Sequence, residues 1–253
     1  MRPLFLILMV LAITLSVTTL PAQDLSFTLG VGSGTYGMKE LKELNKVFQE
    51  AVPFETRLVS DFPPYLNYSA SLRVRDNNAF YGIFYSFQTT GSRISARDYS
   101  GEYLLDMIRT GNALGVSAGF IIPSEGRLDY SFSAVYGVIL TRLKLSENFS
   151  ITGTEIVNTR FRASVQNPFA GPVFAVSCPV RNFDFGLSTG YLFQITGGRL
   201  TGSGDYAGIL TNPSTGRDVG AGWSGFRAEL TAGVRFGKKE NRNYPVSSSV
   251  PGQ

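Results

Sequence analysis

The sequence predicts an all-β chain in which eight antiparallel transmembrane strands close into a β-barrel, with one short amphipathic helix in the first external loop. The first supporting observation is a strict alternation of apolar and polar side chains in successive segments, which gives each strand two unlike faces. The second is a composition with 28 Gly, 19 Phe and 12 Tyr but only 17% charged residues. The third is an alternation of short and long connections along the chain.

The alternation is clearest in the segment 223–236. Its apolar face is continuous and ends on an aromatic residue: Phe226, Ala228, Leu230, Ala232, Val234 and Phe236. The opposite face carries charges among small or polar side chains: Arg227, Glu229, Thr231, Gly233 and Arg235. A soluble sandwich core suits neither face, whereas a wall between lipid and a polar lumen suits both.

This pattern resembles the closing strand of bacterial outer-membrane β-barrels, which ends in an aromatic residue at the periplasmic rim, here Phe236. The mature chain as a whole is similar to the small outer-membrane barrels of the OmpA-domain, OmpX and OmpW type. The resemblance implies a porin-like barrel in the cell envelope of a Gram-negative bacterium. It also implies contact with outer-membrane lipid and with the barrel-assembly machinery.

The chain divides into three parts. Residues 1–22 are predicted to be a secretory signal peptide, because Arg2 precedes an apolar run that is shorter than the roughly 20 residues of a transmembrane helix. An N-terminal membrane anchor is the alternative. Residues 23–237 form the barrel, and residues 238–253 form a basic, disordered periplasmic tail.

The first strand is predicted over 25–34, and the period then changes to that of a helix over 38–51. Met38, Leu41 and Leu44 share one face of this helix, and Pro53 stops it. Three interpretations of the helix remain open: a lid on the barrel mouth, an element that binds a partner, or an interfacial helix on the outer leaflet.

The other strands follow the same period-two alternation and are predicted over 65–75, 79–90, 102–122, 127–143, 155–180, 183–195 and 223–236. Asp76, Asn77 and Asn78 form a tight turn between two of them. Pro168 and Pro172 predict a bulge or a break in the strand 155–180. The segment 91–101 is expected to be a polar external loop.

The connections after the second, fourth and sixth strands are short, and the others are long. Outer-membrane barrels have short periplasmic turns and long external loops, so both termini are expected on the periplasmic side. Aromatic residues near both ends of the strands predict two interfacial girdles. The alternative fold is a soluble all-β sandwich.

Composition argues against most catalytic chemistry. The chain has no histidine and a single cysteine, Cys178, so the usual zinc, haem and Ser-His or Cys-His sites are not expected. Asp98 and Glu102 stand with Arg93 and Arg97, which favours a solvated charge network over a carboxylate pair. We therefore expect no enzyme activity, no cofactor and no metal. The absence of a long basic run argues against nucleic-acid binding.

Two sets of candidate site residues follow from the predicted faces. A lumen ion-pair network is expected from Arg73, Arg227 and Glu229, because eight strands enclose a space that side chains can fill. The external contact candidates are Arg93, Arg97, Asp98, Tyr99 and Tyr206, with Tyr103 and Trp223 near the same side. The expected function is a structural or interaction role through the external loops, with an extracellular or envelope protein as a partner. The alternatives are a narrow channel or carrier for small solutes, including hydrophobic ones, and a barrel enzyme.

Overall fold

The computed structural model describes residues 24–52, 55–99, 101–124, 127–152, 154–202, 207–220 and 222–236. The predicted signal peptide, the predicted tail and the helix stop at Pro53 lie outside these ranges. Within them, one helix, α1, spans Lys39–Ala51. The strands are β1 Asp24–Gly34, β2 Arg57–Asp61, β3 Leu66–Asp76, β4 Ala79–Arg97, β5 Gly101–Pro123, β6 Asp129–Ile151, β7 Thr154–Val180, β8 Phe183–Gln194, β9 Thr201–Gly202, β10 Gly208–Ile209 and β11 Gly225–Phe236.

Eight of these strands form a closed antiparallel ring in the order β1, β3, β4, β5, β6, β7, β8 and β11. The first and last strands close it, with a register that runs from Leu25 opposite Phe236 to Gly34 opposite Arg227. The strand β2 continues the line of β3 beyond a break at Phe62, and it pairs with the outer part of β4. The predicted fold, an eight-stranded antiparallel barrel with one helix in the first connection, is confirmed.

Side-chain alternation decides which face of each strand meets the exterior. Leu114 of β5 and Leu230 of β11 are each 65% exposed, and the small or polar residues between such positions face the lumen. The short turns also follow the prediction, since Asn77 adopts a left-handed backbone with φ 52° between β3 and β4. No helix in the described ranges is long and apolar enough to cross a membrane.

Two strands extend well beyond their predicted ends, and three short strands were not predicted at all. The strand β4 runs to Arg97 and β6 to Ile151, so residues 91–97 belong to a hairpin with β5 and the expected polar loop there is wrong. The physical reason is that the inward face stays buried, with Ile94 and Leu143 at most 1% exposed, after the outward face has become polar. The alternation of lipid-facing residues ends before the strands do. The short strands β2, β9 and β10 are the ones that the sequence did not predict.

The prolines of β7 do not break it. The register with β6 is continuous through Pro168 and Pro172, and the one irregularity between these two strands lies at Phe149 and Ser150. The pairing with β8 skips Gly171 and Pro172. Because proline lacks a backbone N–H, a gap of two ladder positions on one side is enough to accommodate Pro172. The predicted bulge or break is therefore wrong for the strand itself.

Candidate functional site: the barrel lumen and its mouth

The helix α1 lies over the mouth of the barrel. The side chains of Leu41 and Leu44, and of Met38 directly before the helix, are at most 2% exposed and belong to one apolar cluster with inward residues of the extended strands. That cluster, which we call the mouth plug, includes Ile94, Leu105, Met107, Ile139, Leu143, Leu200, Val219 and Trp223. Of the three interpretations of α1, this position corresponds to the lid.

Polar contacts hold the lid to three elements. Asn45 donates from Nδ2 to Asp61 Oδ1 of β2 at 3.0 Å, and its Oδ1 accepts from Ser92 Oγ of β4 at 3.0 Å. Glu40 accepts a short hydrogen bond from the backbone N–H of Gly220 in the last long connection. The hydrogen bond between Asn45 and Ser92 is shielded from water because both residues are almost fully buried. It therefore fixes α1 in one orientation.

Trp223 and Arg109 lie together inside the mouth plug, and both are fully buried. The indole Nε1 donates to Thr141 Oγ1 at 2.8 Å, and the Tyr36 ring meets the indole edge-on at 5.0 Å. Trp223 is therefore an internal residue, and the expectation that it faces external partners is wrong. Tyr103 is also buried, at 6% exposed, because it faces inward from the outer part of β5.

Two buried groups near the plug have no hydrogen-bond partner among the residues that the structure describes. The Nε and Nη2 atoms of Arg109 have none, while its Nη1 points to Met38 Sδ at 2.9 Å. The hydroxyl of Tyr36, in the connection before α1, also has none, and burial raises the pKa of this hydroxyl above its ordinary value. Such groups cost stability, so this part of the plug is not optimised for stability alone.

Below the plug lies a polar cavity of about 130 Å³. Glu229 is held there by two donors, Ser69 Oγ to Oε2 at 2.7 Å and Asn67 Nδ2 to Oε1 at 3.2 Å. Gly32 stands between them, and a Cβ at that position would collide with the Ala228 carbonyl oxygen and lie 2.6 Å from Glu229 Cγ. The small residue is thus what lets the carboxylate cross to β3.

The two arginines of the cavity use other partners. Arg227 donates from Nη2 and Nε to Gln88 Oε1 at 2.8 and 3.1 Å, and from Nη2 to the Trp223 carbonyl at 3.0 Å. Arg73 lies 5.2 Å from the centroid of the Phe80 ring, with Nε unpaired. The guanidinium of Arg227 is therefore positioned by a neutral amide, and that of Arg73 by an aromatic ring.

The predicted lumen residues are in the lumen, but the predicted direct ion pairs are not formed. Arg73, Arg227 and Glu229 all line the cavity, and none of the salt bridges between described residues joins them. The physical reason is that neutral groups take the place of the ion pairs. The Ser69 hydroxyl and the Asn67 amide donate to the Glu229 carboxylate, and the Gln88 amide oxygen accepts from Arg227. Asn67, Ser69 and Gln88 were missed, although polar inward positions on β3 and β4 are the signal that could have found them.

The ion pairs of the lumen lie instead at the end near the short turns. Arg235 Nη2 is 2.7 Å from Asp184 Oδ2 and 3.8 Å from Asp129 Oδ2. These residues come from β11, β8 and β6, so they meet across the barrel. The lumen thus has an apolar plug at one end, a hydrogen-bonded polar middle and a charged opposite end.

The external contact candidates gather at the β4–β5 hairpin. Arg93 is engaged by Asp106 in a two-bond pair at 2.6 and 2.9 Å. Asp98 Oδ1 accepts from the backbone N–H of Gly101 at 2.9 Å, and Tyr99 is fully exposed. Arg97 is exposed and lies opposite Glu102. Tyr206 lies outside the described residues.

The outer surface carries a broad apolar band. Large apolar side chains are exposed on all eight strands of the ring, and aromatic residues such as Tyr81, Phe120, Phe183 and Phe236 stand near the short turns. The eight strands of the described ring close on one another, so the part of the wall that carries the apolar band pairs its backbone within the ring, whereas residues 154–162 of β7 pair only with β6 among the described strands. A closed ring with an apolar exterior is built to cross a bilayer. No group of three or more metal-binding side chains occurs in the part of the chain that the structure describes.

The fold is similar to several solved structures. Neisserial surface protein A is 12% identical, with a TM-score of 0.39 and coverage of 85% of this chain and 97% of that chain. Ail, the attachment invasion locus protein of Yersinia pestis, is 15% identical, with a TM-score of 0.37 and coverage of 86% and 100%. A major outer membrane protein from Thermus thermophilus is 12% identical, with a TM-score of 0.48 and coverage of 84% and 99%.

No protein-family model and no curated protein matches the chain. The three solved proteins are small outer-membrane β-barrels, and the chain is similar to them in fold.

Proposed function

We propose that this protein is a non-catalytic barrel of the bacterial outer membrane, closed to solute flow, that acts through its external hairpins in a structural or interaction role. The observation that carries the proposal is the mouth plug, which fills the external end of the barrel with buried apolar side chains. A closed lumen leaves the outer surfaces of the barrel as the places where it can act.

The small space under the plug supports a closed lumen. A cavity of about 130 Å³ corresponds to a few water molecules at about 30 Å³ each. Arg227 and Gln88 stand at its upper end, and Arg235 with Asp184 lies further towards the short turns. These side chains are held by hydrogen bonds to one another, which supports a structural role for them over a catalytic one.

The external surface supports an interaction role. The strands β4 to β7 rise beyond the apolar band as two hairpins. The tip of the first presents Tyr99, Arg97 and Asp98, and an exposed tyrosine among charges is a typical contact residue. A partner protein outside the cell or in the envelope fits this surface.

Membrane fractionation with gel mobility before and after boiling tests the localisation. We expect the protein in the outer-membrane fraction, with a compact form that shifts on heating. Recovery from the soluble periplasm would contradict the proposal.

Purified protein in a planar bilayer tests the closed lumen, and we expect little steady conductance. A large and stable open state would support the channel instead.

The second candidate function is a narrow channel or carrier. It is favoured by a cleft of about 320 Å³ between α1 and the last long connection, lined by Glu40, Arg199 and Asp218 among others. If the lid moves into this space, solute can enter. A disulfide between Asn45→Cys and Ser92→Cys, in a Cys178→Ser background, locks the lid. Solute uptake into vesicles that stops on oxidation and returns on reduction would establish the carrier.

A further inference from the structure

The buried guanidinium of Arg109 has no charged partner among the described residues. Arg109 is 0% exposed, and none of the ion pairs between those residues includes it. Its Nε and Nη2 atoms have no acceptor there, and Nη1 points to the Met38 thioether, which is a weak acceptor. The mouth plug therefore buries a positive charge with most of its hydrogen-bonding capacity unused.

The two free donors lie on one edge of the guanidinium. The flat face of the group lies over the Trp223 ring, so its N–H groups point outward in the plane of the group. Arg93 of the same chain uses the same two atoms, Nε and Nη2, to hold both carboxylate oxygens of Asp106. The free edge of Arg109 is therefore the edge that binds a carboxylate through two parallel hydrogen bonds.

The surroundings of this edge limit which anion fits. Leu143 lies opposite Arg109 on β6, Met107 precedes it by two positions on β5, and both are buried in the plug. A doubly charged inorganic anion would have to lose more hydration than a monocarboxylate to enter such apolar surroundings. The site favours one carboxylate group on an apolar body.

The cleft between α1 and the last long connection provides space beside this charge. Met38 contacts Arg109 and also lines the cleft, whose volume of about 320 Å³ is large enough for a small ligand. The charged residues that line the cleft are two basic and two acidic ones: Lys39, Arg199, Glu40 and Asp218. Their charges balance, so Arg109 adds one positive charge that is not balanced there.

Met38 is the side chain that connects the cleft to Arg109, and it is suited to move. It lies directly before α1 and makes no side-chain cap for the helix. Methionine has a long, unbranched and flexible side chain. When the thioether turns away from Arg109 it gives up only a weak acceptor contact. A change of the Met38 rotamer therefore opens the guanidinium to the cleft while α1 stays in place.

We propose that Arg109 anchors a binding site for a small monocarboxylate with an apolar body. The carboxylate takes the free Nε and Nη2 donors, and the apolar body lies in the cleft against Met38 and Leu41. This inference goes beyond the proposed function, since binding at the mouth does not need passage through the lumen. It also gives a reason for a buried charge that costs stability.

The test uses the single tryptophan of the chain, Trp223, because its ring lies against Arg109. The mature protein folded in detergent is titrated with hexanoate, and hexanamide, with the same carbon chain and no charge, is the comparison. We expect a saturable change of Trp223 emission with hexanoate and none with hexanamide. Isothermal titration calorimetry of the same protein gives a readout that does not depend on the indole.

Two arginine variants decide whether Arg109 carries the binding. Arg109→Met keeps a side chain of similar length, removes the charge and the donors, and should weaken hexanoate binding by about tenfold or more. Arg217→Met, exposed in the last long connection, is the matched control and should bind hexanoate as the unmodified protein does. If Arg109→Met gives no compact gel band, Arg109→Gln replaces it and should show the same loss.

A third variant tests the role of Met38. Met38→Ala removes the side chain that covers the guanidinium, so it should bind hexanoate more tightly than the unmodified protein does. Weaker binding by a folded Met38→Ala variant would overturn the assignment of Met38 as the cover of the site.

Several results would overturn the binding site itself. They are the absence of a saturable response to hexanoate, an equal response to hexanamide, and unchanged binding by Arg109→Met. An equal loss in Arg217→Met would reduce the effect to a general attraction of anions. The same saturable response to inorganic phosphate would replace the carboxylate by a small inorganic anion. Failure of the proposed function would show separately, as steady conductance or as recovery from the soluble periplasm.

Discussion

The guanidinium of Arg109 lies 4.4 Å from the centre of the Trp223 ring, and both side chains are fully buried in the mouth plug. A cation over an indole is favourable, by about 2 kcal/mol when desolvated. That gain is smaller than the several kcal/mol needed to bury a charge whose Nε and Nη2 atoms lack acceptors. The pair therefore represents a net cost at the centre of the plug.

The first prediction follows from this imbalance. Arg109→Met should raise the free energy of unfolding by about 1 kcal/mol, because an apolar side chain of similar length removes the buried charge and keeps the packing. Urea titration of the folded barrel in detergent measures it. Arg109→Lys is the control and should destabilise, since it retains the charge and loses the flat stacking surface. A loss of more than about 2 kcal/mol in the Met variant would show that the guanidinium has acceptors after all.

The second prediction concerns the bond from Trp223 to Thr141, 2.8 Å long and buried. Trp223→Phe and Thr141→Val should each lower the free energy of unfolding by about 1 to 2 kcal/mol. Each substitution removes the hydrogen bond and leaves the other buried polar group without its partner. The double variant should cost clearly less than the sum of the two. Strict additivity in this double-mutant cycle would mean that the two groups do not interact.

The third prediction concerns Glu229. Glu229→Ala should lower stability by about 1 to 3 kcal/mol, because Ser69 and Asn67 lose their shared acceptor and the cavity grows. Conductance in a planar bilayer should stay low, since the mouth plug is untouched. Ser117→Ala, on the cavity wall contributed by β5 and with a hydroxyl that has no hydrogen-bond partner among the described residues, is the control and should have little effect. A leak in Glu229→Ala would show that the carboxylate region, and not the plug, closes the lumen.

The fourth prediction concerns the outer face. Leu230→Arg should reduce the yield of folded barrel, because a charge near the bilayer midplane costs about 2 to 4 kcal/mol. Leu230 is 65% exposed on the apolar band and lies opposite Leu187. Thr215→Arg, exposed in the last long connection, should be tolerated. Equal yields of the two variants, measured as the compact gel band in membranes, would place the band outside lipid.

The fifth prediction concerns orientation. In a Cys178→Ser background, Tyr99→Cys and Thr215→Cys should react with a membrane-impermeant maleimide on intact cells, whereas Asn77→Cys and Arg181→Cys should react only after lysis. Tyr99 and Thr215 lie at the end with the long connections, and the other two lie in short turns. The opposite labelling pattern would reverse the barrel in the membrane.

The strands could be predicted from sequence where one face meets the exterior band, because a period of two is visible within ten residues. Beyond that band the pattern changes, and the ends of β4 and β6 were missed because the inward face alone carried the signal there. Trp223 was assigned to the surface because its neighbours in sequence are loop residues. Its burial depends on Thr141, 82 positions earlier in the chain.

The partners of Glu229 show the same limit. The sequence places the carboxylate inside the barrel, but its donors are decided by which residues of β3 lie two strands away. Asn67 and Glu229 face Gly32 from opposite sides. That arrangement is a consequence of register, which no local pattern encodes.

The contact of Glu229 with Ser69 and Asn67 spans the seam at which the first and last strands meet. In the observed register Gly32 lies opposite both Asn67 and Glu229, so one row of the wall runs from β3 through β1 to β11. A slip of β11 by two residues keeps the apolar face outward but carries the carboxylate about 7 Å away from its donors. The alternation of apolar and polar residues is the same in both registers, so it cannot select between them. The contact of Glu229 with Ser69 and Asn67 forms only in the observed register and therefore favours correct closure of the ring.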